Sequence, residues 1–323
     1  VGRIRPKKVI RRAVFFLIFA VGLSAPAWPQ DTNTTSNTTF KVSVRLVRLL
    51  ATVKDANGQL ISSLNKSDFA VSDNGVPQEV AVFERQTEQP LSVAVVVDSS
   101  ASTGIAMHYE LDSVSKFFKA LLYEGNPKDT AALYSFNWEV TLMSAFTRRF
   151  ARLDASLKRV HSEGGTSMYD AIFLASRDME LRDGRHVMVI VTDGGDTTST
   201  KNYQQALQSA QMADVVMYPV LVMPITNDAG RNIGGENALT TLSQGTGGRV
   251  FKPSDSAGLD RAFEDILREL RTQYLIGYYP KDVPPAKDRF HTLKLEVKGR
   301  NLRVITRSGY YGESNEPTKG LGR

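Results

Sequence analysis

The chain has 323 residues, 41% of them hydrophobic, and no cysteine. That length buries one sizeable core with a smaller satellite, and the missing thiols exclude disulfides, thiolate zinc sites, a cysteine nucleophile and lipidation at cysteine. Lys and Arg number 40 against 34 Asp and Glu, but Arg3, Arg5, Lys7, Lys8, Arg11 and Arg12 supply six of them, so the remainder balances at 34 against 34 and gives no support to nucleic-acid binding.

Those six basic residues precede an apolar run from Ala13 to Leu23 and then Ser24-Ala25-Pro26-Ala27. This is the layout of a secretory signal peptide and predicts a leader over 1–27, cleaved after Ala27. An uncleaved anchor is the competing reading, but the run falls short of the ~20 apolar residues that span a bilayer. Export without disulfides points to a bacterial envelope protein, placed in the periplasm, at the cell surface or outside, with no transmembrane segment once the leader is removed. Residues 28–39 are polar and aperiodic, so they read as a flexible linker. The N-x-T patterns at Asn33 and Asn37 are incidental in that context.

From Phe40 the pattern alternates, with Val42, Val44 and Leu46 on one face, and stays apolar to Val53. Asn57-Gly58 and Asn74-Gly75 are hairpin signals flanking short strands, and Glu79 to Phe83 alternates again. Residues 40–90 thus form a small antiparallel β module whose missing strands must come from elsewhere.

Residues 91–272 change texture, with continuous apolar runs between amphipathic helices, as in a parallel sheet covered on both faces. Strands are expected at Leu91–Asp98, Asp129–Phe136, Glu139–Met143 (antiparallel, given its short connection), His186–Thr192, Asp214–Val222 and, at the edge, Arg249–Phe251. Helices follow Gly104, span 150–161, 169–180, 201–213 and 236–244, and end with one carrying Leu259, Phe263, Ile266, Leu267 and Leu270 on one stripe. The expected fold class is α/β, a doubly wound, mostly parallel six-stranded sheet with helices on both faces. Residues 273–312 return to strands, at 274–279, 291–297 and 302–306, expected to pack with the N-terminal module. Residues 313–323 read as a tail.

The strand ending at Asp98 delivers Asp98, Ser100 and Ser102, spaced by two, into one loop. One carboxylate and two hydroxyls suit Mg²⁺ or Mn²⁺ better than zinc. A cap for the following helix explains the same residues, and on this segment alone both readings stand. Ligands in open α/β sheets sit at the carboxyl ends of strands, and two further loops there carry oxygen donors: Thr166 after Gly164-Gly165, and Asp193 before Gly194. Capping explains one such loop but not three on one edge, which favours a metal.

The set resembles the metal-ion-dependent adhesion site of the von Willebrand factor type A and integrin I-domain family, with its D-x-S-x-S, a later threonine and an aspartate before glycine. Asp98-Ser99-Ser100-Ala101-Ser102, Gly165-Thr166-Ser167 and Thr192-Asp193-Gly194 carry the likeness over roughly 91–272. The flanks Leu64-Asn65-Lys66-Ser67-Asp68-Phe69 and Tyr274-Leu275-Ile276-Gly277-Tyr278-Tyr279-Pro280 resemble the bacterial relatives best known from Acidobacteria. The resemblance implies that Ser100, Ser102 and Thr166 touch a Mg²⁺ (Mn²⁺ or Ca²⁺ as alternatives) and that Asp98 and Asp193 hold its waters. It also implies that an Asp or Glu of a partner protein completes the coordination. Ala101, often glycine in the family, is tolerated if it avoids positive φ.

Three rivals stand against binding. A hydrolase would need a base for Ser100, and His108, His161, His186 and His291 lie in no catalytic motif. Nucleotide binding is suggested only by Gly164-Gly165 and Gly247-Gly248, neither of which has the required spacing. The third is an envelope scaffold with a dead metal site. Asp196 reads as a turn and cap rather than a ligand, and Tyr278, Tyr279, Tyr310 and Tyr311 as core aromatics.

Overall fold

A computed structural model describes residues 46–85, 88–103, 107–222, 232–284, 286, 288–299 and 301–312. The expected leader (1–27), linker (28–39), start of the first strand and tail (313–323) lie outside the described residues.

Residues 91–272 form an α/β body. Its strands are β5 (Leu91–Asp98), β6 (Thr130–Phe136), β7 (Val140–Thr147), β8 (Arg185–Thr192) and β9 (Val215–Leu221), preceded in the chain by β1 (Val47–Lys54), β2 (Phe69–Asp73), β3 (Val76–Gln78) and β4 (Val80–Glu84). The sheet order is β7-β6-β5-β8-β9. Strands β6, β5, β8 and β9 run parallel, and β7 returns antiparallel on β6. Every residue of β5 is buried, as a strand covered on both faces requires. Val93, Val95 and Val97 pack against α1 (Met107–Glu124), α2 (Phe150–Leu157) and, later in the chain, Ser256–Thr272. Ala94 and Val96 pack on the opposite face against α3 (Met168–Met179), α4 (Tyr203–Met212) and α5 (Ile233–Thr246). The helix Ser256–Thr272 is α6.

Among the described residues the parallel sheet has five strands, not the expected six. Arg249–Phe251 makes a single parallel bridge, Phe251 to Val220, with Phe251 N donating to Pro219 O and Leu221 N to Phe251 O, both at 2.8 Å. Extending that ladder in either direction needs an amide hydrogen on residue 219 or 253, and both are proline.

The remaining strands are β10 (Tyr274–Tyr278), β11 (Phe290–Val297), β12 (Arg303–Ile305) and β13 (Gly309–Tyr311). They interleave with the N-terminal ones in two antiparallel sheets, β12-β1-β10-β4 and β13-β11-β2-β3. Leu49, Phe69, Val71, Tyr274, Ile276 and Leu295 from the two sheets share one core. Among the described residues, no helix is long and apolar enough to cross a membrane.

Candidate functional site

Strands β5 and β8 are neighbours, so the loops after them open on one edge; the loop that carries Thr166 follows no strand, contrary to expectation, but joins α2 to α3 and reaches the same edge through a bridge from Glu163 to Ser100. Asp98 ends β5 with no exposed surface. Its Oδ1 accepts from Ser100 N (2.9 Å) and its Oδ2 from Thr192 Oγ1 (2.6 Å), which ties the ends of β5 and β8 together. Ser100 Oγ and Ser102 Oγ are 3.0 Å apart. Thr103 Oγ1 donates to Asp98 O (3.1 Å) and Ser100 O (3.0 Å), closing the loop before α1. Ala101 does not have positive φ, so its methyl group is accommodated without strain.

The second loop is lashed to the first. Glu163 N donates to Ser99 O (2.9 Å), and Ser162 Oγ to Ser100 O (2.8 Å). Gly165 turns at φ 79°, where a Cβ would lie 2.7 Å from Trp138 Cβ, so only glycine fits. Thr166 follows, with its amide donating to Thr197 Oγ1 (3.0 Å) and its carbonyl accepting from Thr197 N (2.8 Å). The third loop turns at Gly194 (φ 95°), and Asp193 Oδ1 accepts from Gly195 N (3.2 Å). A Cβ on Gly195 would lie 3.6 Å from Asp193 Oδ1 and 4.0 Å from Thr166 Oγ1, so both oxygens face the same small space.

Asp196 caps instead, accepting from Tyr169 N (3.1 Å) at the start of α3 and from Ser199 Oγ (2.6 Å). His108 is exposed on α1. The rings of His161, His186 and His291 bond to Glu163, to backbone carbonyls and to Asp73 respectively.

One residue was not anticipated. Glu110 on α1 has no exposed surface, and neither carboxyl oxygen has a hydrogen-bond partner among the described residues. Burial pushes it up to about 8, and the charges of Asp98 and Asp193 add to the rise. Asp98 is itself pushed by burial up to about 6, against the lowering pull of hydrogen bonds from Ser100 and Thr192. The two buried carboxyls, Asp98 and Glu110, are thus each more stable with a proton or a cation nearby. Among the described residues no group of three or more His, Cys, Asp or Glu forms a metal cage. The donors at the three loops are mostly hydroxyls, all oxygen, and of a kind suited to a hard cation.

A profile of the von Willebrand factor type A domain matches residues 92–265. No curated protein sequence matches the chain. Among solved structures it is similar to the vWF domain of the type V pili tip protein Mfa5 from Porphyromonas gingivalis, at 16% identity over 56% of this chain and 95% of that one, with a TM-score of 0.47. An aerotolerance-related membrane protein from Bacteroides fragilis is similar at 16% identity over 56% of this chain and 98% of that one, TM-score 0.44. A von Willebrand factor type A protein from Catenulispora acidiphila is similar at 12% identity over 83% of this chain and 75% of that one, TM-score 0.48. With a match over more than half its length, the chain belongs to the von Willebrand factor type A domain family.

Proposed function

We propose that the chain is an exported, metal-ion-dependent protein-binding or adhesion protein, in which Asp98, Ser100, Ser102, Thr166 and Asp193 hold Mg²⁺ (or Mn²⁺ or Ca²⁺) for an Asp or Glu of a partner protein. The observation that carries this reading is the gathering of oxygen donors from three loops at one sheet edge around buried carboxyls that, among the described residues, have no cationic side chain on them. A divalent cation held largely by neutral hydroxyls would offer a coordination position to an anionic group.

The chain's own residues fix the donors in advance. Thr103 holds the first loop, Thr197 the second, and Thr192 orients Asp98. A prearranged site spends little of its binding energy on ordering. Beside it, Trp138 is 58% exposed and is anchored by Nε1 to Glu163 Oε2 at 2.9 Å. Such an aromatic next to an ion site gives a partner an apolar contact.

The reading includes no catalysis, since Ser100 Oγ is bonded to Ser102 and not to a base. Export rests on the leader pattern of residues 1–27. Calorimetric titration with Mg²⁺ and Mn²⁺ tests the site: saturable heat and a thermal shift are expected, both lost in Asp98→Ala with the fold intact. An intact protein giving neither signal at millimolar cation would be the scaffold with a dead site instead. Capture of an envelope protein that depends on the cation would then identify the partner.

A further inference from the structure

At the edge of the parallel sheet opposite the three loops lies a cavity of about 40 Å³, walled by the starts of β8 and β9 and by the sandwich strands. Arg48, Arg185 and Arg307 line it, against the single carboxylate of Asp214, and Asp214 is already paired with Arg307. Arg185 is only 6% exposed. Its Nη1 donates to Leu270 O (2.6 Å) and Gln273 Oε1 (3.3 Å), and its Nε to Gln89 O (3.3 Å), all neutral acceptors. Among the described residues no carboxylate oxygen lies within 4.0 Å of it.

A purely structural role accounts for part of this, because Arg185 caps the C-terminal end of α6. Capping does not account for the cost of its burial, which pushes the guanidinium down to about 10 even though the charges of Asp129 and Glu84, neither of which lines the cavity, partly offset it. Nor does it account for Arg307, whose Nε is buried in the same wall with no hydrogen-bond partner among the described residues.

We propose that this cavity is an anion site that takes a small oxyanion, a carboxylate or a phosphate, on the guanidinium groups of Arg185 and Arg307, with the exposed Arg48 beside it. The planar guanidinium fork matches both anions. The volume admits a small ion. The site is independent of the metal loops, at the other end of the strands.

The test titrates inorganic phosphate and, separately, acetate into the full chain at ionic strength held constant with chloride, reading heat and Tm. A saturable rise in Tm beyond the chloride control is expected with at least one of them, and the one that saturates at the lower concentration identifies the chemistry. Arg185→Met should abolish the rise. Should that variant fail to fold, Arg48→Glu, at an exposed position, puts a repelling charge beside the cavity and should weaken binding about tenfold. No heat and no rise beyond chloride in the wild type overturns the proposal. So does an undiminished rise in folded Arg185→Met or in Arg48→Glu.

Discussion

Glu110 is buried on the face of α1 that packs against the sheet, with both oxygens unpartnered. A carboxyl raised by burial favours folding only while it holds its proton. Its contribution is complete below its ordinary value of 4.5 and is lost as pH climbs through about 8. The metal-free protein should therefore lose stability, on the order of a few kcal/mol, between about pH 4.5 and 8. Glu110→Gln keeps the shape and removes the titration, so its Tm should stay flatter across that interval in a differential scanning series. A parallel decline in both proteins would show that the charge on Glu110 is not the cause. Asp98, Ser100, Ser102, Thr166 and Asp193 were legible because each sits where an apolar strand or a glycine turn stops. Glu110 hid inside a helix. Its one sequence signal is a carboxylate in register with the stripe of Val114, Phe117 and Leu121, and a helical stripe points to burial without saying what the buried group faces.

At the scale of elements, the parallel texture was readable from unbroken apolar runs, since a strand buried on both faces has no polar side. The missing sixth strand was equally written in the sequence, as Pro219 and Pro253, but their effect depends on a register that only the folded chain defines. A comparable long-range tie holds the two sandwich sheets together. Asp73 on β2 is fully buried, and its Oδ2 accepts from Tyr278 OH on β10 (2.6 Å) and Tyr310 OH on β13 (2.8 Å), while its Oδ1 lies 3.1 Å from His291 Nδ1 on β11. Tyr278 is thus core, as expected, whereas Tyr279 beside it is 52% exposed. Asp73→Ala leaves two hydroxyls without an acceptor and should cost roughly 2–5 kcal/mol in urea denaturation. Asp73→Asn keeps an acceptor oxygen and should cost less. Equal costs for the two would mean that the cavity, and not the hydrogen bonds, sets the loss.

For the molecule as a whole, the sandwich is built from both sides of the α/β body in the sequence. Strand β1 lies between β10 and β12, β2 between β11 and β3, and β4 beside β10, so β1, β2 and β4 each depend on a partner that follows residue 272. One buried group joins the two bodies: Glu269 of α6, 2% exposed, accepts from Lys54 Nζ of β1 (2.6 Å) and from Arg249 Nε (2.7 Å). That ion pair holds β1 against α6 but cannot replace the ladder hydrogen bonds. A chain ending at Thr272 strips β1 of both neighbours and β4 of β10, and takes Tyr274, Ile276, Tyr278, Leu293, Leu295 and Val297 out of the shared core. The two cores that flank β5 are drawn from residues 91–270 and stay whole. Hydrogen exchange on the truncated chain should therefore find the amides of β1, β2 and β4 exchanging as in an unfolded segment while β5, β6 and β8 keep their protection. Retained protection in β1 and β2 would mean that the N-terminal strands form a stable sheet of their own, which their unpaired edges argue against.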